Sequence, residues 1–283
     1  MDHADAFATN RAHWDERVPV HLGPRGYDLS RLRAGHGRLG ALEEVELPAL
    51  VGEVAGLRAI HLQCHFGADT LALAQRGAEV VGVDFSPPAV AAARALAAEL
   101  GLSARARFVE CNLYDAPEAV GEAGAFDLVY TTWGTIGWLP DIRAWARVVR
   151  HFLKPGGRLY FLDAHPAALV FDDAAREGPT APDGGPGWLA PYFETAPLTL
   201  DNPTDYADEE AVLANARMVV WMHPLGAVVT ALLEAGLEVR ALREHDAVAW
   251  RMFRCLAKGE DGLFRWPGKP WLPLALTVVA EAR

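Results

Sequence analysis

The residues best placed to do chemistry lie between positions 58 and 86. Arg58-Ala-Ile-His-Leu-Gln-Cys-His-Phe-Gly67 reads as a strand running into a tight turn, and Glu79-Val-Val-Gly-Val-Asp84 reads as a second strand that ends on a carboxylate. In a βαβ unit the first turn approaches a nucleoside, and the acid after the second strand accepts hydrogen bonds from the ribose diol. A carboxylate suits that task because it offers two coplanar acceptor oxygens. A diphosphate demands more: a Gly-x-Gly-x-x-Gly turn whose amides and helix N-terminus face the anion. Here the turn is Gln63-Cys64-His65-Phe66-Gly67, one glycine among bulky side chains. The pattern therefore predicts a nucleoside without a phosphate cradle, with Gly67 letting the backbone turn close to it. Cys64 and His65 make a poor metal pair, since no other Cys/His cluster has ligand spacing; no metal is expected.

These groups need a sheet to hold them. From Leu57 to about Ala164, strand and helix patterns alternate with short connections, which predicts a parallel arrangement. Strands are expected over 59–63, 79–84, 105–110, 126–131 and 158–164, with helices over 69–76, 86–100 and 141–152. Ser86 reads as an N-cap with Pro87 at the first helical position, and Gly101 as a stop. A last helix over 224–235 and strands over 237–242 and 273–279 complete the expected α/β fold. It is a doubly wound, mostly parallel seven-stranded sheet with helices on both faces. Residues 1–56 are polar, aromatic and rich in His and Arg, and predict a helical and loop cap in front of a domain at 57–283. Within that domain, 166–217 reads as an inserted lid, whose Pro/Gly-rich stretch 177–187 excludes regular structure. Tyr206 and 218–221 are read as strands of a flanking hairpin.

Composition narrows the partners. Of 283 residues, 51% are hydrophobic and 22% charged, ample for a sizeable core. A net charge of -11 leaves no basic field to neutralise phosphates, so no nucleic-acid partner is expected. Cys64, Cys111 and Cys255 are odd in number and scattered, which fits a reducing, cytoplasmic compartment without a disulfide framework. Met1-Asp-His-Ala-Asp lacks the basic flank and apolar run of a signal peptide, and no uncharged stretch is long enough to cross a bilayer. No membrane partner is expected.

The order of motifs over 57–283 resembles that of class I (Rossmann-like) S-adenosylmethionine-dependent methyltransferases. The family's first motif, acidic-x-Gly-x-Gly-x-Gly, falls on His61-Leu-Gln-Cys-His-Phe-Gly67, which keeps only the last glycine and is similar to a bacterial subgroup with this variant. The strand-two acid falls on Asp84, the adenine-side acidic position on Asn112, the strand-four motif on Phe126 to Gly134, and the typical turn on Leu153-Lys-Pro-Gly-Gly157. The resemblance implies S-adenosylmethionine as cofactor and methyl transfer to a small-molecule acceptor. It places Gln63, Cys64, His65, Gly67, Asp84, Phe85, Ser86, Asn112, Leu113, Thr131, Trp133 and Gly134 at the cofactor. Asp84 would hold the ribose, Phe85 and Ser86 lie against adenine, and Asn112 read its amino group. Cys64 and His65 would touch the carboxypropyl end through their main chain, unless His65 is a packed loop histidine. Trp133 either lies beside the sulfonium, gaining roughly 0.5–2 kcal/mol of cation–π attraction, or packs in the core.

Trp14, Arg25 and Tyr27 are placed over the acceptor by the same resemblance, Arg25 as a bidentate carboxylate clamp or as a solvated surface charge. His165 and His223 are candidate general bases in a chain of ten histidines, most of which must be structural. With His61 in the acidic position, what holds the methionine ammonium stays open. Two other readings compete. An NAD-dependent dehydrogenase needs the diphosphate turn that is missing here. A non-catalytic, cofactor-binding sensor or assembly protein is compatible with the degenerate first motif, since a fold does not fix a function.

Overall fold

The computed structural model describes residues 2–173, 185–208 and 210–283. Most of the Pro/Gly-rich stretch expected as the centre of a lid, residues 177–184, lies outside the described residues. The chain opens with helices α1 (His3–His21), α2 (Ser30–Arg33) and α3 (Ala41–Leu50). Alternation follows: β1 (Arg58–Leu62), α4 (Ala68–Gln75), β2 (Glu79–Asp84), α5 (Pro87–Glu99), β3 (Ala106–Glu110), α6 (Ala116–Val120), β4 (Phe126–Thr132), α7 (Ile142–Phe152) and β5 (Leu153–Ala164). After the insertion come α8 (Leu225–Glu234), β6 (Leu237–His245) and β7 (Ala275–Ala282).

The seven strands form one sheet in the order β6-β7-β5-β4-β1-β2-β3. Strands β1 to β5 run parallel, while β7 is antiparallel to both β5 and β6. The order reverses between β1 and β4, where a doubly wound sheet opens a crevice at the carboxyl ends of its strands. Apolar residues cover both faces. Leu71, Val90, Phe108 and Tyr130 pack on one side, and Ile60, Val129, Trp145 and Phe161 on the other. Helix α7 shows why the local sequence folds this way. Ile142, Trp145, Ala146, Val149 and Phe152 recur on one face and are buried, and the Asp141 side chain accepts the Ala144 amide at 2.9 Å as its cap.

The expected elements are present, with boundary differences that have physical causes. Leu153-Lys-Pro-Gly-Gly157 is the start of β5 rather than a free turn. A register shift against Phe126/Leu128 absorbs the glycines, and a Cβ on Gly157 would meet the Phe126 carbonyl at 2.8 Å. The hairpin partner of Arg217–Val220 is Leu198–Asp201, not the neighbourhood of Tyr206. Residues 246–272, where the sequence suggests no element, hold three two-residue strands: Ala247–Val248, Ala257–Lys258 and Phe264–Arg265. They cover a small core of Val248, Phe253, Leu256 and Leu274. Strands this short leave no periodic signal. Helix α1 docks on the 198–220 hairpin through Asn10, whose amide donates to the Val219 carbonyl and whose carbonyl accepts the Val219 amide, both at 2.8 Å. Among the described residues no helix is long and apolar enough to cross a membrane, and no cluster of candidate metal ligands occurs.

Candidate functional site

A cavity of about 1060 Å³ opens at the crevice, floored by the β1–α4 turn, the end of β2 and the loops after β3 and β4. Its floor is held in an uncommon backbone state. Among the described residues, the non-glycine positions with positive φ are Gln63 (59°), His65 (50°) and Trp133 (54°), and all three border the cavity. Each costs on the order of 1–3 kcal/mol and persists only where the surroundings fix it. The surroundings do so here. The Cys64 amide donates to the Val83 carbonyl at 2.9 Å, the His65 amide to Asp84 Oδ2 at 2.7 Å, and Gln63 Nε2 to the Thr135 carbonyl at 3.0 Å. Gly67 is required twice over, by its φ of 77° and by Phe108, whose ring would lie 2.6 Å from an added Cβ. On the β4 side, Asp163 at the end of β5 accepts the Gly134 and Thr135 amides at 2.6 and 2.9 Å and so fixes the loop that carries Trp133.

Asp84 is prepared for a polar ligand. Oδ2 accepts from His65 and Oδ1 from the Ser86 amide at 3.0 Å, which orients the carboxylate and leaves a lone pair on each oxygen. Burial pushes its pKa up to about 6, with those amides opposing the rise. The Asn112 carbonyl accepts the Tyr114 amide at 3.0 Å and keeps one lone pair toward the cavity.

Of the residues expected at the cofactor, Gln63, Cys64, His65, Gly67, Asp84, Phe85, Asn112, Leu113, Trp133 and Gly134 border this cavity. Ser86 and Thr131 do not. Ser86 is a buried helix cap that donates to Asp15 at 2.5 Å, and Thr131 Oγ1 turns back toward the Leu62 carbonyl. Strand alternation puts Thr132 on the wall instead. Trp14 and Tyr27 also border it. Arg25 lies outside, 60% exposed, paired with Asp208 at 2.9 Å and Glu210 at 2.8 Å. The two candidate bases are outside as well. His223 Nε2 lies 2.7 Å from the Leu139 carbonyl, and His165 Nδ1 accepts the Ala167 amide while Nε2 lies 3.0 Å from Glu244. Burial lowers the pKa of both.

Trp138, Trp250 and Phe264 join the wall without having been marked by the sequence. Trp14 stands edge-on to His65 and Trp138, at 5.4 and 5.3 Å between ring centroids, and Trp133 edge-on to Trp250 at 5.4 Å. Phe264 adds a further apolar side. Behind them runs a buried polar chain. Arg17 donates to Asp205 at 2.5 Å and to His13 at 3.0 Å, and His21 bridges Asp205 at 3.0 Å and His65 at 2.8 Å. The spacing of His13, Arg17 and His21 puts them on one face of α1, a signal readable in the sequence. Burial, the neighbouring His21 and Arg17 push the His65 pKa down to about 3, against the pull of Asp205, so that imidazole is neutral.

The wall also carries two further acids. Glu43 of α3 is 1% exposed; its Oε1 accepts from Trp133 Nε1 at 2.5 Å, and burial with the nearby Asp69 raises its pKa to about 8. Asp69, in the first turn of α4, is raised to about 6 by burial. Asp84, Asp69 and Glu43 share the cavity lining with Arg17, Arg38 and Arg251, so groups of both signs face a ligand. The site thus offers one ligand a buried carboxylate, a side-chain amide, charges of both signs and an apolar wall.

Comparison with known proteins agrees. A sequence model described as a methyltransferase domain matches residues 60–159. The ubiquinone biosynthesis O-methyltransferase of Bordetella avium (strain 197N) is 30% identical over 124 residues, 43% of this chain and 49% of that protein. That of Xanthomonas campestris pv. campestris (strain B100) is 31% identical over 180 residues, 58% of this chain and 72% of that protein. The crystal structure of an S-adenosylmethionine-dependent methyltransferase from Mesorhizobium loti shares the fold, with a TM-score of 0.57 and 24% identity over 84% of this chain and 97% of that one. The chain spans about half the length of several of the curated relatives it matches. These matches place the chain in a family: it belongs to the class I S-adenosylmethionine-dependent methyltransferases.

Proposed function

We propose that this protein transfers a methyl group from S-adenosylmethionine to a small acceptor with a flat, largely apolar body, and that it falls in the bacterial subgroup carrying the His-Leu-Gln-Cys-His-Phe-Gly first motif. The observation that carries the reading is Asp84: a buried carboxylate, aimed by two amides, in a cavity rich in acids and without a phosphate cradle. The donor supplies an electrophilic methyl group on a sulfonium, displaced in line. The chain supplies position. Asp84 holds the ribose diol and Asn112 the adenine amino group. The β1–α4 turn offers main chain to the carboxypropyl end.

Trp14, Trp138, Trp250 and Phe264 exclude water and present flat surfaces, which supports an aromatic or similarly planar acceptor. Relatives named for ubiquinone biosynthesis support a small-molecule acceptor in the same way. An apolar wall does not oppose the reaction, because charge on sulfur disappears as the methyl moves. Among the described residues no histidine is set to take a proton: His165 and His223 lie outside the cavity, His61 and His65 are held neutral at about 3, and both ring nitrogens of His13 are engaged, by the Asn215 carbonyl and by Arg17. The acceptor is therefore one that ionises by itself or attacks as a neutral amine. The work is alignment, which can supply on the order of 7–11 kcal/mol. The insertion contributes Asn202, Tyr206 and Ala207 to the wall, which supports a role for 166–217 in acceptor choice. The acidic charge supports a protein without nucleic-acid partners, and the scattered cysteines support a cytoplasmic one.

Calorimetric titration with S-adenosylmethionine, S-adenosylhomocysteine and NAD tests the reading. The first two should bind and NAD should not; binding of NAD alone sinks it. Labelled methyl transfer to a panel of phenols, hydroxyquinones and amines then tests turnover. Cofactor binding with no acceptor methylated would favour the non-catalytic sensor.

A further inference from the structure

The methionine end of the cofactor poses a question that the first motif leaves unanswered, since His61 stands at the acidic position. His61 is a buried, neutral imidazole that pairs with Thr70 Oγ1 at 2.9 Å and stands edge-on to Tyr130 at 4.9 Å. It has no charge to offer an ammonium. Across the same spot, two carboxylates from different elements converge. Asp69 of α4 and Glu43 of α3 both border the cavity and feel each other's charge, and both act on the Tyr130 hydroxyl. Glu43 Oε1 is taken by the Trp133 indole, but Oε2 is buried without a hydrogen-bond partner among the described residues. The groups acting on it are Asp69, Glu44, Tyr130, Tyr160 and the Trp133 N–H, while the nearby guanidiniums are engaged elsewhere: Arg76 with Glu44 and Asp69, and Arg38 3.9 Å from Glu44. An unpaired buried acid is costly unless something positive arrives to share its lone pairs.

We infer that Glu43, with Asp69 beside it, is the ammonium-binding end of the cofactor cavity and replaces the acid that position 61 lacks. The inference rests on the proposed reading of the cavity as an adenosyl site and adds to it a residue outside the family's motifs. Charge and geometry agree. The ammonium carries three donors, Glu43 Oε2 and the Asp69 carboxylate offer acceptors, and a bound cation favours the charged form of Glu43 that burial and Asp69 disfavour in the free protein. Trp133 Nε1 holds Glu43 in place from the loop after β4, which ties the ammonium end to the left-handed residue beside it. Arg38 also borders the cavity and is the cation nearest in sequence to this end, suited to the carboxylate of the same amino-acid group.

The experiment compares two ligands on the intact chain. S-adenosylhomocysteine carries the aminocarboxypropyl group; 5′-methylthioadenosine does not. Glu43→Gln keeps an acceptor for Trp133 and removes the charge. It should weaken S-adenosylhomocysteine by roughly 10–100-fold and leave methylthioadenosine within about twofold. Asp69→Asn should act in the same direction and less strongly. The thermal midpoint of the unliganded Glu43→Gln protein, unchanged or higher than wild type, reports that it folds. Equal losses for both ligands, or no loss for either, overturn the assignment of Glu43. If the wild-type protein binds neither ligand, the reading of the cavity as an adenosyl site fails instead.

Discussion

The floor and the roof of the cavity are built on different principles. The floor is local. Residues 63–67, Asp84 and Asn112 lie within fifty positions of one another, and their hydrogen bonds join neighbouring strand ends, as from His65 to Asp84 or Cys64 to Val83. The roof is assembled from afar. Asn10 reaches Val219, and Arg17 and His21 reach Asp205. A floor of this kind is fixed once the βαβ unit folds. A roof of this kind exists only when helices of the N-terminal segment have docked on an insertion that is synthesised much later. The two regions should therefore fail differently: damage to the roof should appear as lost stability, and damage to the floor as lost affinity in a folded protein.

The sharpest break is Asp205→Ala. Burial alone would raise this carboxyl, but the His21 hydrogen bond, the Ala207 amide and the charges of His21 and Arg17 outweigh it and hold it well below the usual carboxylate range. Removing it leaves Arg17 buried without its partner, at a cost of about 3–5 kcal/mol. The expected result is a large drop in thermal midpoint and early proteolysis within α1. Because the folded pKa is depressed, the wild-type contribution is full above the ordinary value near 4 and is lost as pH falls through the folded value. The variant should accordingly lose acid sensitivity along with stability. A normal midpoint for Asp205→Ala would mean that the roof is not held by this pair.

Next in size is Asp84→Asn on the floor. The amide side chain keeps the shape but brings an NH2 where the His65 or Ser86 amide, or a ribose hydroxyl, expects an acceptor. Loss of about 30–100-fold in S-adenosylmethionine affinity follows from replacing hydrogen bonds to a charged group. The thermal midpoint should move little, since the buried acid itself is strained at neutral pH, with a pKa near 6. Unchanged affinity would dissolve the floor as defined here.

This contrast also explains what could be read from the sequence. The floor and the sheet were legible because their signals are short: apolar runs between turn residues, Ser86 before Pro87, Asp141 before the α7 face, an acid at a strand's end. Asp84 and Asn112 needed only their places after β2 and β3. Arg17 was legible only as one of three polar residues on a face of α1; its partner Asp205, and the role of Glu43, were not, because an acid or a guanidinium reads as a solvated charge until its partner some ninety to two hundred residues away is known. His165 and His223 were attractive for their places near strand and helix ends, yet both are turned toward backbone or surface partners. The two-residue strands between 247 and 265, which bring Trp250 and Phe264 to the wall, are too short for periodicity to mark.

A smaller effect separates floor from roof through pH. Glu43 is protonated in the free protein below its pKa of about 8, and an ammonium is best held by the charged form. Affinity for S-adenosylhomocysteine should tighten by about tenfold between pH 6.5 and 8, with Asp69, Glu44, Tyr130, Tyr160 and the guanidiniums of Arg38 and Arg76 as the other titratable and charged groups facing the site. Stability of the free protein moves the other way. A carboxyl raised from an ordinary 4.5 to about 8 on folding lowers stability as pH climbs through that window. Glu43→Gln should flatten both curves. A wild-type affinity that stays level over this range would count against charge at Glu43 as the determinant.

The smallest effect is expected where a charge on the N-terminal segment does not reach the cavity. Arg25 pairs with Asp208 and Glu210 at the rim and remains 60% exposed, so its contribution is that of a surface ion pair, about 0–1 kcal/mol. Arg25→Ala should leave cofactor affinity unchanged, shift the thermal midpoint by a degree or two at most, and leave acceptor KM within about twofold. Raising salt should remove even that difference, because the pair is screened by solvent ions. A rise of tenfold or more in acceptor KM would mean that the rim closes on the acceptor and that Arg25 leaves Asp208 and Glu210 to meet a carboxylate. The roof would then extend past the aromatic wall, and the division between a local floor and a long-range roof would have to include a third, mobile part.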